Sequence, residues 1–180
     1  MTCIVALKAK KGTRHQVVMG GDSAAVSRLD VCVRKDPKVF RSGGFVIGYA
    51  GSFRMGQLLR FKLRPPPVKR KDLFEYMCTV FIDEVRKILK KGGFTEIDNN
   101  VEHGGVFLVG ARGRIFEIES DFQVGEAMAD YAAIGCGGCY ALGALAASSG
   151  LEPGARVMQA LGIAEKFSGG VRAPFLVVRG

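Results

Sequence analysis

The first eight residues constrain the fold of this chain more than any other stretch. Residues 2–8 read Thr-Cys-Ile-Val-Ala-Leu-Lys, and apolar side chains occupy both alternating sets of positions. Because successive side chains of a strand point to opposite faces, both faces of such a strand are apolar. We therefore predict a buried β-strand that begins one residue after the initiator methionine. The alternative is an ordinary edge strand.

Thr2 is a candidate catalytic nucleophile. Methionine aminopeptidases accept a small second residue, so removal of Met1 would leave a hydroxyl and a free α-amine on Thr2. A threonine hydroxyl is a weak nucleophile unaided, whereas an α-amine with a reference pKa of about 7.7 can accept its proton at neutral pH. The start of the chain thus predicts a nucleophile that carries its own base.

Length and composition indicate a single globular domain over residues 1–180. The 180 residues are 48% hydrophobic and 24% charged, which is ordinary for a chain with a substantial core. The longest uncharged run, residues 131–151, contains five glycines, so we interpret it as strand, turn and short helix and expect no membrane span. No basic region precedes the apolar start, and we expect a cytoplasmic protein without a secretory signal.

Five cysteines, an odd number, favour reduced thiols over a disulfide framework. Cys136 and Cys139 form a CxxC pair without a second pair, and the two histidines lie far away in the sequence. Zinc or redox chemistry is one interpretation of the pair, and a glycine-rich turn with small packed thiols is the other, which we favour. We predict neither a metal site nor a cofactor.

The net charge of +9 raises the question of nucleic-acid binding. The basic residues are grouped at residues 8–14, 69–71 and 86–91, at a predicted hairpin tip and near the two ends of a predicted helix. Cations favour a helix C-terminus, and no nucleic-acid motif joins the groups. We therefore interpret them as solvated faces and expect no nucleic-acid partner.

The hydrophobic periodicity predicts an α+β fold. Strands are expected over residues 2–8, 16–19, 31–33, 38–40, 45–50, 105–111, 114–119, 123–127, 131–135 and 173–179. Helices are expected over residues 53–63, 73–91, 139–147 and 153–166, with the third covered on all sides. Runs of strands followed by runs of helices predict two sheets between helical layers.

Several short motifs occur in a fixed order along the chain. They are the Gly-Gly-Asp-Ser of residues 20–23, Lys38-Val39, the Gly-Tyr-Ala-Gly of residues 48–51, residues 134–138, and the Ser-Gly-Gly of residues 168–170. Together with Thr2 the chain resembles proteasome-type N-terminal nucleophile hydrolases over nearly its whole length. These include the proteasome β-subunit, its bacterial two-component counterpart and proteasome-like hydrolases of bacterial and tailed-phage genomes.

The resemblance implies a four-layer αββα sandwich of two antiparallel sheets and a set of catalytic roles. Thr2 Oγ would attack a peptide carbonyl with its own α-amine as base. Lys38 would lie near that amine, and Asp22 would orient Lys38. The backbone N–H of Gly51 would donate to the oxyanion.

Three positions depart from the family pattern. Cys136 stands where the family usually has a serine near the new amine, whereas Ser168 matches the family's Ser-Gly-Gly motif and is carried over as a catalytic-site residue. Glu165 replaces an aspartate three residues before that motif, and Val26 replaces a threonine that grips the substrate backbone. The departures put the rate and the grip on the peptide in question.

The resemblance also implies a substrate pocket and partners. The pocket positions are Ala25, Asp36, Phe40, Tyr49 and Phe53, whose three aromatic rings would favour small side chains. A peptide or protein substrate, a homo-oligomeric ring and an ATP-dependent unfoldase encoded elsewhere are the implied partners, and association with a virion stays open.

Two alternatives to a peptidase stay open. The scaffold could serve a non-proteolytic amidohydrolase, or a catalytically silent assembly component, because a retained Met1 would acylate the Thr2 amine. The helix over residues 53–63 has apolar side chains over most of its circumference, which fits either an oligomer interface or burial within one chain.

Overall fold

The computed structural model describes residues 1–68 and 72–180, so the basic cluster at residues 69–71 lies outside the described residues. The strands are β1 (Ile4–Lys11), β2 (Arg14–Gly21), β3 (Ala24–Ser27), β4 (Asp30–Val33), β5 (Val39–Ser42), β6 (Phe45–Tyr49), β7 (Glu96–Asp98), β8 (Val101–His103), β9 (Phe107–Ala111), β10 (Arg114–Ile118), β11 (Val124–Glu126), β12 (Tyr131–Ile134) and β13 (Leu176–Arg179). The helices are α1 (Phe53–Phe61), α2 (Leu73–Tyr76), α3 (Ile82–Lys91), α4 (Gly138–Ala147) and α5 (Pro153–Phe167).

The predicted α+β sandwich is confirmed. One antiparallel sheet has the order β12-β1-β2-β13, and a second has the order β11-β10-β9-β6-β5. One apolar cluster joins the first sheet to α4 and α5, and another joins the second sheet to α1 through α3. A third cluster fills the space between the sheets, so the layers follow the order helix, sheet, sheet, helix.

Strand β1 is an inner strand, as predicted, and both of its faces are buried. Ile4 and Ala6 face the second sheet, whereas Val5 and Leu7 face the helical layer, and all four are fully buried. Its neighbours β12 and β2 pair with it along its length. This double burial places Thr2, which precedes β1, in the interior of the protein.

The helical segment between residues 72 and 92 is interrupted. Asp72 caps α2 by accepting from the backbone of Phe74 and Glu75, and a π-helical turn, Met77–Phe81, then leads into α3. The apolar periodicity predicted one continuous helix and did not reveal the π turn. The buried face is nevertheless continuous, since Leu73, Phe81 and Leu89 all pack in the same cluster.

Two predictions about helices change in the structure. Helix α4 was expected to be covered on all sides, but this is wrong, because Tyr140 and Gly143 face outward while Ala141 and Leu145 are buried. The outer face of α4 consists largely of small apolar residues, so the sequence is apolar on both faces although only one face is buried. In the segment of α1, most leucines are buried within the chain, and Phe61, at 58% exposure, is the large apolar side chain left outside.

Strands β3, β7 and β8 were not predicted. Their sequences are short and mostly exposed or half-buried, so they lack the alternation of buried and exposed positions that marks a strand. Within the part of the chain that the structure describes, no helix is long and apolar enough to cross a membrane.

Candidate active site

Three polar residues are buried together where strands of the two sheets begin or end. Thr2 precedes β1, Asp22 directly follows β2, and Lys38 directly precedes β5. Each is 2% exposed. Because β1 and β2 pair with Ile4 opposite Gly21, the ends that carry Thr2 and Asp22 lie side by side.

Lys38 connects the hydroxyl of Thr2 to the carboxylate of Asp22. Its Nζ donates to Thr2 Oγ1 over 3.0 Å and to Asp22 Oδ1 over 2.8 Å. Burial lowers the pKa of Lys38, while the neighbouring Asp22 carboxylate raises it and offsets part of the effect. Lys38 is therefore a buried cation with a weakened hold on its proton.

Asp22 is held by backbone donors from three segments. Oδ1 accepts from Cys3 N at 3.0 Å, and Oδ2 accepts from Ala24 N at 2.9 Å and from Arg172 N at 3.4 Å. An ionised carboxylate is an acceptor only, which suits these N–H groups and the Lys38 ammonium. The Asp22 side chain is thus fixed in position before it orients Lys38.

Cys136 and Ser168 flank the backbone of Thr2. Thr2 N donates to Cys136 Sγ at 3.3 Å, and Cys136 Sγ donates to Thr2 O at 3.4 Å. Ser168 Oγ donates to the same sulfur at 3.3 Å. Gly135 permits this approach, since it has φ +89° and a Cβ there would lie 2.2 Å from Thr2 O.

Met1 covers the Thr2 hydroxyl in the chain that retains it. Thr2 Oγ1 donates to the Met1 carbonyl oxygen, and Lys38 Nζ lies 3.5 Å from the same oxygen. The Met1 side chain packs on Gly170, where a Cβ would lie 2.3 Å from Met1 Cβ. The nitrogen of Thr2 is an amide in this form and cannot serve as a base.

A cleft of about 340 Å³ lies beside the nucleophile. Gly51 borders it with φ +87°, a conformation that favours glycine, and its N–H has no hydrogen-bond partner among residues 1–68 and 72–180. The lining includes Met1, Ala25, Val26, Arg34, Gly51 and Phe53. Gly51 shares this cleft with Met1, the neighbour of Thr2, and a free N–H is the kind of donor that an oxyanion requires.

Of the five predicted pocket residues, Ala25 and Phe53 line the cleft, whereas Asp36, Phe40 and Tyr49 do not. Phe40 and Tyr49 are 5% and 3% exposed. The centre of the Tyr49 ring lies 6.5 Å from that of Phe40 and 6.1 Å from that of Phe53. Asp36 binds Arg34 through two hydrogen bonds of 2.7 Å and 2.8 Å. The Arg34 guanidinium in turn lies 4.1 Å from the centre of the Phe53 ring.

Glu165 supports the site at a distance from Thr2. Its Oε1 accepts from Ala173 N at 2.9 Å, which holds the segment whose Arg172 N–H reaches Asp22. The geometry therefore joins Thr2, Asp22, Lys38, Cys136 and Ser168 through direct contacts, whereas Glu165 acts through the backbone.

Sequence reasoning did not identify Arg34, Arg172 or Cys3 as neighbours of the site. Arg34 lines the cleft, Arg172 contributes a backbone N–H, and Cys3 contributes both its N–H and a buried thiol. Burial, followed by the nearby Asp22, raises the pKa of Cys3 from 9.0 to about 12. A backbone N–H donor cannot be recognised from residue type, so the roles of Arg172 and Cys3 could not be predicted. Arg34 could have been, because it lies two residues from the predicted pocket residue Asp36.

The fold was compared with known proteins. No family model and no curated protein match the chain. Among solved structures, Thiobacillus denitrificans BPH matches with a TM-score of 0.80 at 19% identity, over 99% of this chain and 97% of that chain. HslV from Trypanosoma brucei matches with a TM-score of 0.68 at 24% identity, over 99% and 98% of the two chains.

A third solved structure points the same way. Anbu, the ancestral beta-subunit from Yersinia bercovieri, matches with a TM-score of 0.68 at 17% identity, over 99% of this chain and 81% of that chain. The chain therefore has the proteasome β-subunit-like fold of N-terminal nucleophile hydrolases. At these identities the likeness concerns the fold.

Proposed function

We propose that the chain, once Met1 is removed, is a threonine-type N-terminal nucleophile hydrolase that cleaves peptide or other amide bonds. The observation that carries the proposal is the buried series of contacts from Thr2 Oγ1 to Lys38 Nζ at 3.0 Å and on to Asp22 at 2.8 Å. Burying a lysine ammonium destabilises a fold unless the charge is paired, as Lys38 is with Asp22. The same ammonium also donates to the Thr2 hydroxyl near the start of the chain, an arrangement typical of a functional site.

The reaction would use the amine that processing creates. The neutral α-amine of Thr2 accepts the Oγ proton, directly or through one water, as Oγ attacks the carbonyl carbon. The Gly51 N–H donates to the oxyanion, and the amine returns the proton to the leaving nitrogen. Water then hydrolyses the ester formed on Thr2.

Lys38 and Asp22 would set the electrostatics of that step. The positive charge of Lys38 next to Thr2 favours the neutral amine and disfavours its protonated form. Asp22 keeps the Lys38 ammonium directed at Oγ and partly compensates its burial. Cys136 and Ser168 would hold the new amine through the sulfur that now accepts from Thr2 N.

The cleft would receive the substrate beside the catalytic threonine. Val26 and Gly51 both line it, so a chain lying between them would pass close to Thr2. Phe53, supported from below by Tyr49 and covered by the Arg34 guanidinium, fills part of the space. We expect small side chains to be accepted best next to the cleaved bond.

A catalytically silent form is the second candidate, and the position of Met1 favours it whenever processing fails. Thr2 Oγ1 donates its hydrogen bond to the Met1 carbonyl oxygen, and Met1 also lines the cleft. In that form the protein keeps its fold, lacks a basic amine and would serve as an assembly component.

One experiment separates the two candidates and tests the mechanism. Intact mass shows whether Met1 is present, and turnover of small peptide amides is then measured for the parent and Thr2→Ala. We expect the processed parent to be active and Thr2→Ala to be inactive but folded, because only the reacting oxygen is lost. Equal turnover by parent and mutant would exclude Thr2 from the mechanism.

We also propose a homo-oligomeric ring, with an ATP-dependent unfoldase as a partner for folded substrates. Support for the ring comes from the shared fold and from large apolar side chains left exposed: Leu29 at 97%, Val33 at 55% and Phe61 at 58%. Light scattering distinguishes a ring from the 19.3 kDa monomer.

A further inference from the structure

Two thiols of the CxxC pair lie at the surface next to the catalytic threonine. Cys136 and Cys139 are both exposed; Cys136 precedes the N-cap residue Gly137, and Cys139 lies in the first turn of the ten-residue helix α4. The sulfur of Cys136 contacts Thr2 N at 3.3 Å. Among residues 1–68 and 72–180, Cys139 has no hydrogen-bond partner, so its thiol is free to react.

The turn that joins the two cysteines is packed in place. Gly138 N donates to Gly135 O at 2.9 Å, which closes the turn. A Cβ at Gly137 would lie 2.8 Å from both Cys3 Cβ and Val171 Cγ2, so the backbone is pressed against the core. Gly137 has φ −88° and ψ −3° and Gly138 begins α4, so residues 136–139 form one turn. The first and last Cα atoms of such a turn lie within about 7 Å, which is compatible with the separation of about 4.4–6.8 Å that a disulfide needs.

We propose that Cys136 and Cys139 form a dithiol site that reacts with low-molecular-weight disulfides and closes to a disulfide beside Thr2. In the first step, the Cys139 thiolate attacks one sulfur of the small disulfide and releases one small thiol. Cys136 then attacks the Cys139 sulfur and releases the second small thiol. Two protein S–H bonds are oxidised to one S–S bond, and the small disulfide is reduced to two thiols.

The other thiols do not compete for this reaction. Cys3 is fully buried, and its burial raises its pKa to about 12, so it stays a thiol. Cys32 and Cys78 are exposed but lie on β4 and on the π turn, away from α4. An intracellular disulfide is usually transient and regulatory, which suits an exposed pair at a site.

Closing the disulfide would change the surroundings of Thr2, a consequence that rests on the proposed function. The S–H hydrogen that Cys136 donates to Thr2 O is consumed in the oxidation. The sulfur must also come within about 2.05 Å of the Cys139 sulfur, which draws it from Thr2 N and Ser168 Oγ. We expect turnover to fall about three- to tenfold.

The chemical test does not depend on activity. The full chain is equilibrated with mixtures of reduced and oxidised glutathione, trapped with N-ethylmaleimide and analysed by intact and peptide mass. We expect a species in which Cys136 and Cys139 together lack two hydrogen atoms, carry no glutathione and are protected from N-ethylmaleimide. Cys78→Ser should behave like the parent, whereas Cys139→Ser should give only mixed disulfides or free thiols.

A parent that forms no internal disulfide, or a Cys139→Ser variant that still forms one, would overturn the dithiol site. The activity arm uses the processed chain in the same buffers. We expect oxidation to lower turnover and a reducing agent to restore it in the parent, and turnover of Cys139→Ser to fall only in the fraction whose Cys136 carries glutathione. A disulfide that forms without any change in a measurable turnover would refute the link to Thr2.

An inactive protein in every buffer would count against the proposed hydrolase, while the mass measurement would still decide the dithiol site. The two failures are therefore distinguishable in one set of samples.

Discussion

The two helical layers differ in the size of the side chains that pack them. The layer of α4 and α5 meets its sheet through small residues such as Ala141, Ala160 and Ala164. The layer of α1 through α3 meets the other sheet through rings and leucines, with Phe81 and Tyr76 among the largest buried side chains.

Small residues let α5 approach the sheet closely. A Cβ at Gly20 would lie 2.4 Å from Val157 Cγ1, and one at Gly137 would lie 3.0 Å from Ala164 Cβ. This approach brings Cys136, just before α4, to the backbone of Thr2, and Ser168, at the end of α5, to the Cys136 sulfur. The difference teaches that the small-residue layer shapes the site, whereas the aromatic layer supplies burial.

Replacing Lys38 should have the largest effect, because it should lower both turnover and the free energy of unfolding. Lys38→Met should lower turnover by about 10²-fold or more, because the amine and hydroxyl lose their charged neighbour. It should also cost about 3–5 kcal/mol in unfolding free energy, since the Asp22 carboxylate is left buried without its cation. Steady-state kinetics and urea unfolding measure both quantities.

A surface pair provides the matched control. Lys8 and Asp130 are 3.2 Å apart, with side-chain exposures of 28% and 73%. Lys8→Met should change stability by no more than about 1 kcal/mol and leave turnover unchanged. If Lys38→Met and Lys8→Met changed stability and turnover by the same amounts, the buried Lys38–Asp22 pair would have no special role.

The aromatic layer should respond differently. Phe81 is fully buried, and its ring centre lies 5.1 Å from that of Phe45. Phe81→Ala should cost about 3–5 kcal/mol, because it leaves a large cavity, yet kcat of the folded fraction should stay within a few-fold of the parent. Thermal or urea unfolding and kinetics below the transition measure this.

Phe74→Ala is the control for that layer, because Phe74 lies on α2, is 38% exposed and should cost clearly less than Phe81→Ala. A collapse of kcat in folded Phe81→Ala would show that the aromatic layer also shapes the site and would break the contrast between the layers.

The effect that is smallest at neutral pH concerns Cys3, because it appears only in the pH dependence of stability above pH 9. Its pKa is 9.0 ordinarily and about 12 when buried, so the folded protein keeps a proton that the unfolded chain releases. The stabilisation is therefore complete below pH 9 and is lost between pH 9 and about 12, by roughly 1.4 kcal/mol per pH unit. Unfolding measured below and above pH 9 should show this slope in the parent.

Cys3→Ala should lack that part of the slope, and exposed Cys32→Ala should retain it. Tyr49, whose pKa burial raises to about 12, is present in both variants, so its contribution cancels in the comparison. Identical slopes for Cys3→Ala and the parent would exclude Cys3 as the source.

Much of the fold could be predicted because it follows from local patterns. The apolar alternation of β1, the hairpin with β2 and the caps Ser52 and Asp72 are each encoded within a few residues. The π turn and strands β3, β7 and β8 could not be predicted, since their sequences lack a distinctive period. The one-sided burial of α4 was also hidden, because alanine and glycine suit both faces.

The candidate site divides in the same way. The sequence by itself determined that a threonine heads a doubly buried strand and that Asp22 and Lys38 stand at strand boundaries. Only the tertiary structure decided that Lys38 Nζ lies 3.0 Å from Thr2 Oγ1 and that Met1 covers this hydroxyl. It also decided that Cys136 of the CxxC pair contacts the Thr2 nitrogen. The physical reason is range: alternation and capping act over a few neighbouring residues, whereas these contacts join segments up to 134 residues apart through the packing of β1 beneath α4 and α5.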